Sequence, residues 1–448
     1  MNRNIVLTRK IICIFVVSAF VFSCNQNVIT IDDTGGELGK SNAPVAIKLN
    51  LEIDQVLAAK EGRLALVDLN DQKQVPVQLD SQDSSSAVVI LPNGEPGSRK
   101  FKLIENSSAV GNNAMNTYID SNTSQLIIEE KGKKVLQYNY QMVYEKDVVR
   151  PASTKNHKIE YLNKMSGIYF DEYLKNHPTF PKDTVVFGSI YAIPRSNYIH
   201  PLYGLKGEML TSDWPDADHP HHRGIFWGWP EVRYGSKLGD IYALQTVFSR
   251  PTGKIKYTGG PVYAEIDAEN LWMWEDKDPI VRERAIIRVY HSTTDSQIID
   301  ITIDLLALKD SVTLATRFTN SYGGLNIKMQ TPESQDISNF TDGADSEPVR
   351  AWADFNGVFE GNTSTSGLMI LQNKNNPEYP GAWVDYPGLS WVQPTFPTPE
   401  TRFPLSTTKP LTLRYRLIVH ANGKPSDDRS KAYWDAYNSN LAPLSPTQ

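Results

Sequence analysis

From residue 45 onward, apolar and polar residues alternate at period two in short runs: 45–53, 63–69, 75–79, 87–91 and 100–104. Strand side chains point to opposite faces in turn, so each run makes a ribbon with one dry side that only sheet pairing and stacking can bury. Turn-forming residues bound every run and no helical period falls between them, which predicts an antiparallel β-sandwich at this end. Residues 124–144 read as a hairpin about Lys131-Gly132. The pattern breaks between 150 and 182, where 161–175 suits a short helix ahead of Pro178 and Pro181. It resumes at 184–193, 224–229 and 241–248, then in a long series between 254 and 318, clearest at 286–291 and 298–306 about a Thr-Thr-Asp-Ser turn. Runs 349–352, 367–371 and 411–419 continue it. Ser426-Asp427-Asp428 offers a cap and first-turn acids to a helix whose Ala432, Tyr433, Ala436 and Tyr437 share one face.

The expected fold class is therefore all-β: a small N-terminal antiparallel sandwich, then a large antiparallel domain, then a short C-terminal helix. The corresponding boundaries are a leader over 1–23, a flexible tether over 24–43, the sandwich over 44–145, a connection over 146–183 and the large domain over 184–448.

The leader carries Arg3, Arg9 and Lys10, an apolar run over 11–22, and then Ser23-Cys24. This is the charged, hydrophobic, small-residue order of an export signal. Twelve apolar residues fall short of the roughly 20 that span a bilayer as a permanent helix, and no later stretch approaches that length. Cys13 and Cys24 are the only cysteines, so cleavage would leave Cys24 alone, and the mature fold is expected to lack disulfides. The segment resembles the lipobox of bacterial lipoproteins, which implies lipid on Cys24. Asn25, in place of the aspartate associated with inner-membrane retention in such proteins, points to the outer membrane.

A net charge of −6 with no dense basic stretch argues against nucleic acid as a partner. Nine tryptophans and 21 tyrosines in an exported chain suit stacking on sugar faces, although core packing claims most rings in any β protein.

Four of the eight histidines fall within 200–222, in His200-Pro201-Leu202-Tyr203-Gly204 and Asp218-His219-Pro220-His221-His222-Arg223-Gly224. Histidine titrates nearest neutrality and its neutral ring is the commonest metal ligand. Pro220 favours an extended conformation at His219, so His219 and His221 should face one side and His222 the other. A loop of mutually bonded histidines that merely fastens two sheets is the bland alternative.

The motifs Tyr198-Ile199-His200-Pro201-Leu202, Gly207-Glu208-Met209-Leu210-Thr211, Asp218 to Gly224 and Trp227 resemble a bacterial family catalogued as PmoA-like. Asn375-Asn376-Pro377-Glu378-Tyr379-Pro380 and Leu413-Arg414-Tyr415-Arg416-Leu417 extend the likeness over most of the mature chain. The label suggests a methane oxygenase, but a true subunit of that membrane enzyme is a membrane-embedded copper protein, and no membrane helix follows the leader here. The resemblance implies instead a companion of glycan-degradation systems. The long antiparallel architecture is also similar to that of sugar mutarotases and polysaccharide lyases, an analogy of fold alone.

Three readings follow. The first is a glycan hydrolase, lyase or epimerase, with His200, His219 and His221 as acid or base groups and Arg223 as a clamp for a substrate carboxylate. Its partner carboxylate would come from Asp218, Glu231, Glu275 or Glu333, with Glu333 preferred; Tyr203, His222, Trp227, Trp229 and Trp274 would hold the sugar, and Trp272, Trp383 and Trp391 are further candidate platforms. The second is a divalent metal site built on His219, His221 or His222 with His200 or an aspartate. The third is a lipoprotein that captures glycans without chemistry.

Overall fold

The computed structural model describes residues 28–110, 115–154, 194–214, 221–340 and 351–439. The leader, Cys24, the helix expected over 161–175 and the run 184–193 lie outside them. The chain is all-β, with short helices at Glu37–Lys40, Ile53–Lys60 and Asp427–Asn438 among the described residues.

Alternation sets the layers. In the strand Tyr263–Trp274, Ala264, Ile266, Ala268 and Trp272 are fully buried on one side while Asp267, Glu269 and Leu271 alternate with them on the other. That strand pairs antiparallel with Asp278–Tyr290, which pairs with Ser296–Ala307 and so on to Leu411–Ala421. Val247–Thr258, Ser366–Gln372, Trp352–Val358 and Glu333–Phe340 complete an eight-stranded sheet. A second eight-stranded sheet runs in the order Trp383–Tyr386, Trp391–Pro394, Gly324–Lys328, Ile225–Gly228, Tyr198–Leu202, Lys133–Asn139, Leu126–Glu130, Met115–Ile119. The two face each other across one apolar layer that contains Leu136, Ile199, Ile225, Trp227 and Ile327 from one sheet and Ile266, Trp272, Ile287 and Ile301 from the other. Burying this much aliphatic area is the main stabilising term of the fold.

The N-terminal unit packs a four-stranded sheet against a three-stranded one around Ile31, Val45, Leu64, Val89 and Phe101. Two boundaries differ from expectation. The strand Val28–Asp33 pairs with Gly97–Glu105 inside the segment expected to be a flexible tether, because Ile29 and Ile31 are apolar at alternate positions and join the core. The hairpin Leu126–Glu130 to Lys133–Asn139, expected within the small sandwich, belongs to the large sheet instead.

The outer faces of the two large sheets have different fates. One is covered by Tyr433 and Trp434 of the C-terminal helix and by Val88 and Ile90 of the N-terminal unit, packed on Trp352, Met369 and Ile418. Ser426 caps that helix as the sequence predicts, accepting the Arg429 N–H at 3.3 Å. The other outer face carries Tyr198, His200, Phe226, Lys328 and Trp391, and loops rather than a layer lie over it. The site lies there.

Candidate functional site

The histidine motif is anchored at its end by a buried ion pair. Asp213 and Arg223 meet across a β-bridge, and the Arg223 guanidinium also donates to the Tyr198 hydroxyl at 2.8 Å and lies 4.4 Å over the Trp214 ring. Tyr198 in turn donates to Asp213 Oδ2 at 2.8 Å. Burial alone would raise the Asp213 carboxyl, but the Arg223 charge and these hydrogen bonds more than offset it and hold it below the ordinary value. Gly224 ends the motif for a steric reason: its φ is +54°, and a Cβ would run into the Ile199 carbonyl. The Gly224 carbonyl then accepts the Lys328 N–H at 2.9 Å, which fixes the motif to the strand Gly324–Lys328.

Beside this anchor opens a cleft of about 570 Å³, within the range of small-molecule sites. Lys328 and His222 line it together with Arg150, Glu208, Asp213 and Gln330, and Met209, Met329 and Leu389 supply apolar wall. Lys328 is 7% exposed and donates to the Leu389 carbonyl. It has no ion-pair partner among the described residues, and burial pushes its ammonium down to about 8. A buried amine that exchanges its proton near neutrality is a competent acid or base. His222 lies 4.7 Å from the Trp391 ring and 4.7 Å from the more exposed His221, and Trp391 stacks on Tyr386 at 5.0 Å. Glu208 accepts the Lys206 N–H at 3.1 Å through Oε2, while its buried Oε1 has no hydrogen-bond partner among the described residues.

Several expected roles change. His200 is 1% exposed and both ring nitrogens are engaged, Nε2 with the Val149 carbonyl at 2.8 Å and Nδ1 with Thr211 Oγ1 at 3.0 Å. Burial lowers its pKa, so the neutral ring ties the segment around Val149 to the sheet and has no nitrogen left for a substrate. Arg223 is spent on Asp213 and Tyr198 rather than offered to a ligand carboxylate. Trp227, Trp229, Trp272 and Trp274 are core residues, not sugar platforms: the first and third donate to Glu283, the second to the Phe396 carbonyl at 2.7 Å. Trp383 and Trp391 are also buried. Glu333 is exposed on an edge strand and does not line the cleft; Glu231 pairs with Arg402, and Glu275 is exposed in the turn after its strand. The run 241–248 is a strand only from Val247; before it, a turn closed by Asp240 and Gln245 sets Tyr242 against His221 and His222.

His221 and His222 stay together at the site, and Tyr203 lines a neighbouring depression. Asp218 and His219 lie outside the described residues. Among the described residues no group of three or more His, Cys, Asp or Glu side chains is placed to hold a metal ion. The site gains Lys328, Asp213, Glu208 and Arg150, of which the sequence singled out Glu208 alone, and that as part of a family motif rather than as a site residue. A signal for Lys328 was present, since Asn326 and Lys328 alternate with the core residues Leu325 and Ile327.

A two-sheet antiparallel β protein with a lysine- and histidine-lined cleft on one outer face is the class that this geometry defines. The chain belongs to DUF6807, a family of unknown function, whose model matches residues 191–435. That span holds His200, Asp213, the histidine motif and Lys328, and leaves out the N-terminal unit. No curated protein matches the chain.

Proposed function

We propose that this chain is a carbohydrate-acting protein of the cell envelope, anchored through lipid on Cys24, that binds a saccharide in the cleft over Lys328 and cleaves or isomerises it by proton transfer. The observation that carries the reading is Lys328 itself. A buried ammonium with no counter-ion among the described residues is costly, and chains keep one where its chemistry is used. In its neutral form the amine can take a proton from a sugar carbon or hydroxyl and return it from the ammonium form, with the Leu389 carbonyl orienting it. Glu208, Ser212, Gln330 and Thr331 offer hydrogen-bonding groups for sugar hydroxyls, and Met209 and Met329 give apolar contact for ring faces. Glycan-degradation partners, which the PmoA-like motifs imply, are consistent with this.

The test is incubation of the purified protein with a panel of neutral and acidic oligosaccharides. New reducing ends indicate a hydrolase, products with a conjugated double bond a lyase, and altered ring stereochemistry by NMR an epimerase. Lys328→Met should abolish the product while leaving binding measurable. Binding with no product from any member would leave a glycan-capture protein and sink the catalytic reading.

A further inference from the structure

Next to the cleft, across a turn one residue wide at its crest, lies a second depression of about 190 Å³. The turn is closed by the Gly204 N–H to the Glu208 carbonyl at 2.7 Å, and Gly207, which lines both depressions, stands at its crest. Gly207 has φ +90° and open space where a Cβ would be, so the ridge between the depressions is low. A ligand can lie across it.

The second depression is basic. Lys131, Lys133 and Lys134, all exposed on the hairpin that the sequence singled out, line it with half-buried Tyr203. None of the three lysines has an ion-pair partner among the described residues. The one carboxylate in the lining, Glu130, is already engaged by the Ser292 N–H at 3.0 Å and the Gln297 amide at 3.1 Å. Glu129, cross-strand from Lys134, is turned to the Asn116 amide at 3.3 Å. Three unpaired ammonium groups around one occupied carboxylate leave a positive field, which raises the local concentration of anions. On the cleft side the buried cation at the floor is again a lysine, Lys328, while Glu208 at the turn is held by the Lys206 N–H.

Resting on the saccharide reading above, we propose that the cleft and the lysine-lined depression form one groove for an acidic oligosaccharide. The ring to be transformed lies over Lys328, the chain crosses at Gly207, and the acid groups of the adjoining rings seat against Lys131, Lys133 and Lys134, with Tyr203 under a ring face. Carboxylate and sulfate share this chemistry. Both are anions set at regular intervals along a polymer, and three exposed lysines of the hairpin line the depression that would receive them.

The experiment is calorimetric titration of the full-length protein with three tetrasaccharides of matched length: a uronate, a sulfated sugar and a neutral one. The acidic ligands should bind at least about tenfold more tightly than the neutral one at low salt, and the margin should collapse near ~0.5 M salt, where exposed charges are screened. Whichever acid binds more tightly identifies the anion. Charge reversal in the triple variant Lys131→Glu, Lys133→Glu, Lys134→Glu should erase the preference, while its melting curve stays that of the parent. Equal affinity for neutral and acidic ligands, or an acid preference that survives the triple reversal, overturns the groove. Turnover of neutral sugars with acidic ones ignored removes this inference and keeps the proposed function; failure of every saccharide to bind removes both.

Discussion

The Trp272 indole N–H lies 2.6 Å from Glu283 Oε2, inside the dry layer between the two large sheets. Trp227, from the opposite sheet, donates to Oε1 of the same carboxylate at 2.8 Å, and Asn197 donates there at 2.6 Å. One fully buried acid thus holds two tryptophans that the sequence offers as sugar platforms. Burial raises the Glu283 pKa and the three N–H donors oppose it. All three need an acceptor, which the carboxylate supplies at both oxygens.

Glu283→Gln should therefore destabilise the chain by roughly 2–4 kcal/mol, because an amide N–H replaces an acceptor that faces N–H donors. Urea unfolding followed by tryptophan fluorescence measures it. A loss below about 0.5 kcal/mol would mean that these bonds contribute little.

Asp213→Asn removes the carboxylate that pairs with the buried Arg223 charge, at a cost of roughly 3–5 kcal/mol. The main-chain bond between Trp214 and His222 should loosen at the same time. Faster exchange of the Trp214 amide, which donates to the His222 carbonyl at 3.2 Å, would report it. Unchanged exchange in a destabilised variant would separate the ion pair from this main-chain bond.

Lys328→Met should stabilise the fold as it abolishes turnover, the trade expected of a residue kept for function. The folded lysine has a pKa of about 8 against an ordinary value of 10.5, so between those values the unfolded chain binds more protons and stability rises with pH. Below pH 8 both states are protonated and the full penalty stands. The variant's gain, at most about 3 kcal/mol, should be greatest there and vanish above pH 10.5. Thermal melts across pH 6–11 check the curve, and a constant gain would refute the shifted lysine.

Asp240 behaves in the opposite sense. Burial pushes its carboxyl up to about 7, although it accepts the Ala243 N–H at 2.8 Å. Between its ordinary value of 3.8 and about 7 the folded chain holds a proton that the unfolded chain has lost, so this residue's contribution falls as pH rises. Asp240→Asn should flatten that decline, whose slope is on the order of 1.4 kcal/mol for each tenfold change in proton concentration. Parallel pH–stability curves for parent and variant would show that burial leaves this carboxyl at its ordinary value.

The strands were legible because alternation survives burial: Ile299, Ile301, Ile303 and Leu305 face the core from Ser296–Ala307, in the phase the sequence predicts. The same rule, applied further, would have placed the tryptophans. Trp272 and Trp274 fall in phase with Ile266 and Ala268, and Trp227 with Ile225, so all three point inward. Asp213 was missed because its partner, Arg223, meets it only through an isolated bridge that no local pattern encodes. Lys328 was missed for another reason. Alternation says that it faces out of the sheet, and only the fold says that this outer face is roofed by loops.

The pairing of Val28–Asp33 with Gly97–Glu105 also sets a distance. Three residues lie between Cys24 and Val28, and the four extended residue steps that join them reach at most about 14 Å. A lipid on Cys24 would therefore moor the body hard against the bilayer, on a leash shorter than the sandwich it holds. A polymer would have to come to the membrane surface to be engaged, and the protein's working zone would be a shell a few nanometres deep.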